Sequence, residues 1–542
     1  MKDADAKVTE VVDAFRQRGF EFIGRADDGW LKLRGLLRAS ARSHACEIQL
    51  DPKFFELPRV RLLELPASLP RVTPHLGSGG HLCYIAKGTV VLDIFDPVGQ
   101  ALACLQRAEE VLDKVLKGEF VEDLEEEFYF YWNGPLCLVD MQDQRLGRQE
   151  TLVINPGGNF TAVVTDDEAR TTRKLKSLGW EATDYTMLTY RVRTSAKPRP
   201  HTTVWPPTTV KDILAWQGLL DPRCRKKIET RIEEALATTT KGALVLVESP
   251  LMTYGFVVFF GRKPPYQRGM RRQPRASMYA LGVTPVSVVR IDDRYMAQRN
   301  VPGMQTLAGK HLVVVGCGTI GGYLADMLIK GGTGTSGGQL TLVDVDSLYP
   351  QNIGRHRLGL PNLFLNKATG LAEELKRLAP GADIRALPVD VRRAQLGEVD
   401  LLIDATGEES LGHWLCERYL PTTAILSVWV EGPGTAVRAL LRTKKTGACY
   451  RCLCDANRRG LLKSVVGAMP TLLAGQGCEG LYVPFPASVS VQAASLGAEM
   501  AFAWANDTLS PSLRTKLVDT NYKLATPDCD PPRMEDCPAC PS

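Results

Sequence analysis

Three glycines set just behind an apolar strand limit what this chain can fold into more than any other feature. Residues 311 to 315 read HLVVV, and Gly316, Gly318 and Gly321 come next as G-x-G-x-x-G ahead of the helical run GYLADMLIK. A loop of this kind, between a strand and a helix, aims backbone N–H groups and a helix N-terminus at phosphate. The next strand-like run, QLTLVDVD, ends in Asp344 and Asp346, where a carboxylate can accept hydrogen bonds from a ribose. A further helix and the strand DLLIDATG complete the rhythm of a doubly wound α/β sheet. On these residues alone a nicotinamide oxidoreductase and an ATP enzyme are both open.

The residues beyond Asp344 narrow the choice. Asn352 and Arg355 stand in the run DVDSLYPQNIGRHR, Lys367 comes directly after Asn366, and Asp404 opens Asp-Ala-Thr-Gly. Adenylating a carboxylate puts charge on a phosphate in flight, which preorganised Arg and Lys side chains neutralise, whereas hydride transfer needs no such cluster. A solvated basic helix face is the plainer account of Arg355, Arg357 and Lys367. The whole pattern resembles the adenylation domain of ubiquitin-activating enzymes and of the ThiF and MoeB sulfur-carrier activators. The resemblance implies ATP as cofactor, with Asp344 on ribose and Asn352, Arg355 and Lys367 on its phosphates. It also implies Mg²⁺ on Asp404 or, as substitute, Glu408, because Gly407 stands where that family has a second acid. His356 replaces a usual Gln.

Fourteen cysteines among 542 residues do not read as a secreted disulfide framework, since no signal-like or membrane-spanning apolar run is present. A cytoplasmic enzyme is expected. Cys449 and Cys452 form one C-x-x-C pair and Cys537 and Cys540 another. Two such pairs can close a tetrahedral Zn²⁺ site, pinning the chain's tail to the domain, although a redox pair is a competing reading. Cys454 and Cys529 are spare neighbours. Cys478 lies in a glycine-rich loop ahead of a small-residue helix, QAASLGAEMAF, where the activating enzymes carry the cysteine that takes the modifier as a thioester.

The net charge of +5 is spread over both signs, so no nucleic-acid partner and no membrane is expected. Length suggests roughly three or four units. We read residues 1–150 as an α+β domain, 151–295 as a mixed α/β middle domain, and 296–542 as the adenylation domain. In the first, strand-like runs at 46–50 and 60–65 flank the turn Glu56-Leu57-Pro58; His75 and Gly80-His81-Leu82-Cys83 precede an amphipathic helix near 99–116. This order resembles a ubiquitin-conjugating core, with Cys83 as its cysteine and His75 as its histidine. The family's Pro and Asn are replaced by Leu76 and Gly77, so His81 is the candidate for polarising a thioester.

The layout is similar to the bacterial fused activating and conjugating enzymes of CBASS anti-phage and related operons. The resemblance implies activation of the C-terminus of a ubiquitin-like modifier or a CD-NTase-type protein, then thioester formation on Cys478, transfer to Cys83 and conjugation to a target amine. It also implies a homodimer, with Arg294 or Arg299 reaching the partner's ATP. Three alternatives stay open: a sulfur-carrier adenylyltransferase, a nicotinamide oxidoreductase that would use only the glycine loop and Asp344, and a noncatalytic, modifier-binding N-terminal adaptor.

Overall fold

The computed structural model describes residues 2–77, 79–86, 88–183, 185, 187–238, 242–260, 275–443, 447–470 and 482–540. Cys478 lies outside the described residues. By compactness the chain forms two units, each assembled from separated segments. One gathers Met1–Cys137, Arg145–Thr151 and Tyr185–Val288; the other gathers Leu138–Gln144, Leu152–Asp184 and Val289–Ser542.

The first unit opens on an antiparallel sheet ordered Glu21–Arg25, Leu31–Ala39, Arg42–Leu50, Arg59–Leu62 and His81–Leu82. Alternation puts Leu31, Leu33 and Leu37 into the core, with Leu50 opposite Leu31 and Ile48 opposite Leu33, and Cys46 buried opposite Gly35. The helices Lys2–Gln17 and Pro97–Lys117 supply the facing apolar side chains. The second of these is specified at both ends. Asp96 accepts from the Gly99 amide, Pro97 sits at its first position, and Gly118 closes it in the left-handed region. Its buried Ala101, Leu105, Ala108, Leu112 and Val115 recur at helical spacing. The strand expected through residue 65 stops at Leu62, whose amide turns to the Gly80 carbonyl. Gly80 has φ +81, and a Cβ there would lie 2.3 Å from the Leu62 oxygen, so only glycine lets the Cys83 loop cross this close.

The same unit contains a second core, in which Phe128, Trp132, Trp205, Trp216 and Tyr254 pack ring against ring. Around it lie strands Leu188–Arg193, Gly242–Glu248 and Thr253–Phe259 and helices Val210–Leu220 and Pro222–Leu236.

The second unit is built on a seven-stranded sheet ordered Ile384–Leu387, Gln339–Val343, His311–Val315, Leu401–Asp404, Ala424–Glu431, Ala436–Arg442 and Leu513–Leu517. The first five run parallel, Ala436–Arg442 runs antiparallel to them, and Leu513–Leu517 pairs antiparallel with Ala436–Arg442. Strand order therefore reverses at His311–Val315, and the glycine loop leaves the carboxyl end of the strand at this switch point, where doubly wound sheets bind ligands. Segments from earlier in the chain complete the unit through a buried ionic cluster. Asp140 accepts from Arg170 Nε at 3.1 Å, Thr171 Oγ1 at 2.6 Å and Lys174 Nζ at 2.8 Å, and Lys174 also pairs with Asp293 at 2.7 Å. No helix among the described residues is long and apolar enough to cross a membrane.

Candidate active site

Two glycines of the loop have separate steric tasks. Gly316 takes φ +85, and its Cβ would strike the Thr406 backbone at 2.9 Å. Gly321 packs so near the strand that a Cβ would sit 1.8 Å from the Gly316 oxygen. At Gly318 nothing lies within 4 Å of that position. Gly318 also begins the helix Thr319–Lys330 without any side-chain cap, so the first amides face open space that a phosphate fits.

Of the expected ligand side chains, Asp344 bonds directly to this loop, and Lys367 is tied to it through Asp346. Asp344 accepts the Cys317 amide at 2.7 Å and the Asp346 amide at 2.8 Å, and burial raises its pKa. Asp346 pairs with Lys367 Nζ at 3.0 Å. Asn366 binds the carbonyls of Asp344 and Asp346 while capping the helix that Lys367 starts. Asn352 accepts the Tyr349 amide and so fixes the turn that presents Arg355.

Arg355 is drawn toward the chain just beyond the Cys478 segment. It donates to the Val483 carbonyl at 2.9 Å, and its guanidinium lies 5.1 Å and 4.6 Å from the Tyr482 and Phe485 ring centres. His356 is buried. Its Nδ1 accepts the Leu358 amide, which assigns the ring proton to Nε2, donated to the Cys317 carbonyl at 2.9 Å. Burial holds its pKa down to about 4, so this neutral imidazole braces the glycine loop. Asp404 is also buried and accepts the Thr406 amide and hydroxyl; burial lifts its pKa to about 6. Glu408, by contrast, is exposed, as are Arg294 and Arg299.

Cys449, Cys452, Cys537 and Cys540 come together, with sulfurs 3.6 Å apart along three edges. Four thiolates about 2.3 Å from one zinc stand about 3.8 Å from each other, so the set fits a closed tetrahedral site. Cys454 and Cys529 are not members of this set.

Cys83 is exposed, and its amide donates to the His75 carbonyl at 2.8 Å. His75 has φ 60 and is held from the far side: its Nε2 lies 2.9 Å from Asp123, its amide donates to Glu127, and Phe120 meets its ring edge-on. Burial and the Glu127 charge push the Cys83 thiol's pKa up. His81 is exposed on its short strand. Sequence reasoning does not single out Asp123 and Glu127. The acidic run GEFVEDLEEEF after the amphipathic helix is the signal that marks them.

Residues 293–538 match the ThiF family and residues 33–135 match Prokaryotic E2 family B. The chain is 63% identical over 537 residues, 99% of each chain, to the ATP-dependent ubiquitin transferase-like protein Cap2 of Pseudomonas aeruginosa. It belongs to the Cap2 family of ATP-dependent ubiquitin transferase-like proteins. A Cap2 of Escherichia coli is 27% identical, covering 91% of this chain and 90% of the relative. Among solved structures, E. coli MccB with AMPCPP and MccA is similar at 16% identity and a TM-score of 0.33, over 45% of this chain and 69% of that one. Membership bears out the fused activating and conjugating layout expected from sequence, and makes the chain an ATP-dependent transferase-like enzyme in which a ThiF-type domain lies C-terminal to a conjugating-type domain.

Proposed function

We propose that this Cap2-family chain adenylates the C-terminal carboxylate of a ubiquitin-like modifier or a CD-NTase-type protein, in a CBASS-type anti-phage setting. Gly316, Gly318, Gly321 and Asp344 would hold ATP and Asp404 would hold Mg²⁺, which would screen the phosphate charge that Arg355 and Lys367 also balance. Cys478 displaces AMP and passes the acyl group to Cys83, from which a target amine takes it. Residues 1–150 act as the conjugating domain and 296–542 as the activating domain, in a homodimer whose Arg294 or Arg299 completes the partner's site. The pairing carries the reading: a glycine loop with Asp344 and the ion pair of Asp346 and Lys367 beside it in one unit, and an exposed thiol in the conjugating-family segment of the other.

The thiol order is open to direct test in the native operon. Tagged Cys83→Ala chain, purified without reductant, should carry a reductant-sensitive protein adduct on Cys478 but give no reductant-resistant conjugate. Cys478→Ala should accumulate neither. Normal conjugation by Cys83→Ala makes the N-terminal domain an adaptor, and charging of Cys83 in Cys478→Ala identifies another first nucleophile.

A further inference from the structure

An amine meeting a thioester at neutral pH arrives as an ammonium ion and cannot attack until it loses a proton, because a lysine side chain has its pKa near 10.4. Conjugation is therefore helped by a base beside the sulfur, and a carboxylate there can both attract the ammonium and take its proton. His75 joins Cys83 to such a group. The His75 carbonyl accepts the Cys83 amide at 2.8 Å, and its own amide donates to Glu127 Oε1 and Oε2 at 3.2 and 3.3 Å. The ring lies between two carboxylates, with Nε2 2.9 Å from Asp123 and Nδ1 3.3 Å from Glu127. Asp123 is thus engaged by the imidazole, while Nδ1 makes no hydrogen bond. Among the described residues the titratable groups facing Glu127 are His75, Cys83 and Tyr131, whose hydroxyl donates to the Thr73 carbonyl at 3.1 Å.

We propose that Glu127 receives the acceptor ammonium beside the acylated Cys83 and removes its proton, a role that rests on the reading of Cys83 as acyl carrier. One proton passes from nitrogen to the Glu127 carboxylate. The freed lone pair forms the C–N bond at the thioester carbonyl, and the C–S bond breaks. Sulfur leaves as thiolate and takes the second nitrogen proton, and Glu127 releases the first to solvent. Protonating Glu127 also removes the negative charge that would oppose the departing thiolate.

The test uses the full chain, acylated on Cys83 with a synthetic diglycine mercaptoethanesulfonate thioester and mapped by peptide mass spectrometry. Discharge to free lysine and to hydroxylamine, an amine already neutral at pH 7, is tracked from pH 6 to 10.5. Glu127→Gln should slow lysine discharge at pH 7 by about a hundredfold, the scale of one general base, and recover to within a few-fold at pH 10.5. Hydroxylamine discharge should not change, and Glu127→Asp should recover most of the lost rate. Parallel pH profiles for wild type and Glu127→Gln overturn the proposal, as does equal loss toward both amines in both variants. If wild-type Cys83 takes up no acyl group, the acyl-carrier reading itself fails.

Discussion

At Asp404 the proposed metal-binding role would be set against stability at one side chain. Its carboxyl has a pKa of about 6 in the fold against an ordinary 3.8, so the folded chain holds this proton more tightly than the unfolded chain. The penalty for burying the charge is absent below pH 4, grows as pH rises from about 4 to 6, and is complete above that. Asn preserves an oxygen for the Thr406 amide and carries no charge. Without nucleotide, Asp404→Asn should melt a few degrees above wild type at pH 7.5, and thermal scans at pH 4.5 should show the gap closing. The same variant should lose most of its pyrophosphate exchange into ATP if Asp404 holds the metal. A melting gap that does not vary with pH removes charge burial as its cause. Arg355→Ala and Lys367→Ala should each lose about a hundredfold in exchange, the scale of one preorganised transition-state contact. Unchanged exchange in both would dissolve the assignment of the phosphate clamp.

Among the elements, the glycine loop separates steric from ligand-binding roles. Gly321→Ala forces a carbon into the Gly316 carbonyl and should lower the melting temperature with or without ATP, whereas Gly318→Ala fills open space and should fold normally while binding ATP more weakly. Calorimetry on both variants distinguishes these effects. If the four cysteines hold zinc, the tail element should depend on it: about one zinc per chain is expected, and Cys537→Ser with Cys540→Ser should remove it and depress melting. Metal analysis showing no zinc in wild type would discard the knot. Features of this local kind are legible in a sequence, because G-x-G-x-x-G and C-x-x-C carry their geometry within a few residues. The cluster around Cys83 is less so: His75 finds Asp123 and Glu127 from 48 and 52 positions away, and no spacing rule connects them. Arg355 likewise meets Val483 across 128 positions. The strand ending at Leu62 reads too long in sequence because Leu63 and Leu65 continue its apolar pattern, while Gly80 claims the Leu62 amide.

Over the whole molecule, the stretch 151–295 has no single home, since it is divided between the two compact units. A fragment beginning at residue 296 lacks Asp140, Arg170, Lys174 and Asp293, the buried ionic cluster of its own unit, together with the apolar Leu138, Ile154, Val163 and Leu175. Such a fragment should melt well below one beginning at residue 138, or fail to accumulate in soluble form, and paired expression trials would show it; equal stability would mean the early segments are dispensable. The interleaving also bears on inheritance. Because each unit is threaded by several passes of the chain, no single breakpoint in the gene leaves both units whole. A single crossover therefore cannot exchange one compact unit between genomes without part of the other, so the two units are expected to be inherited together.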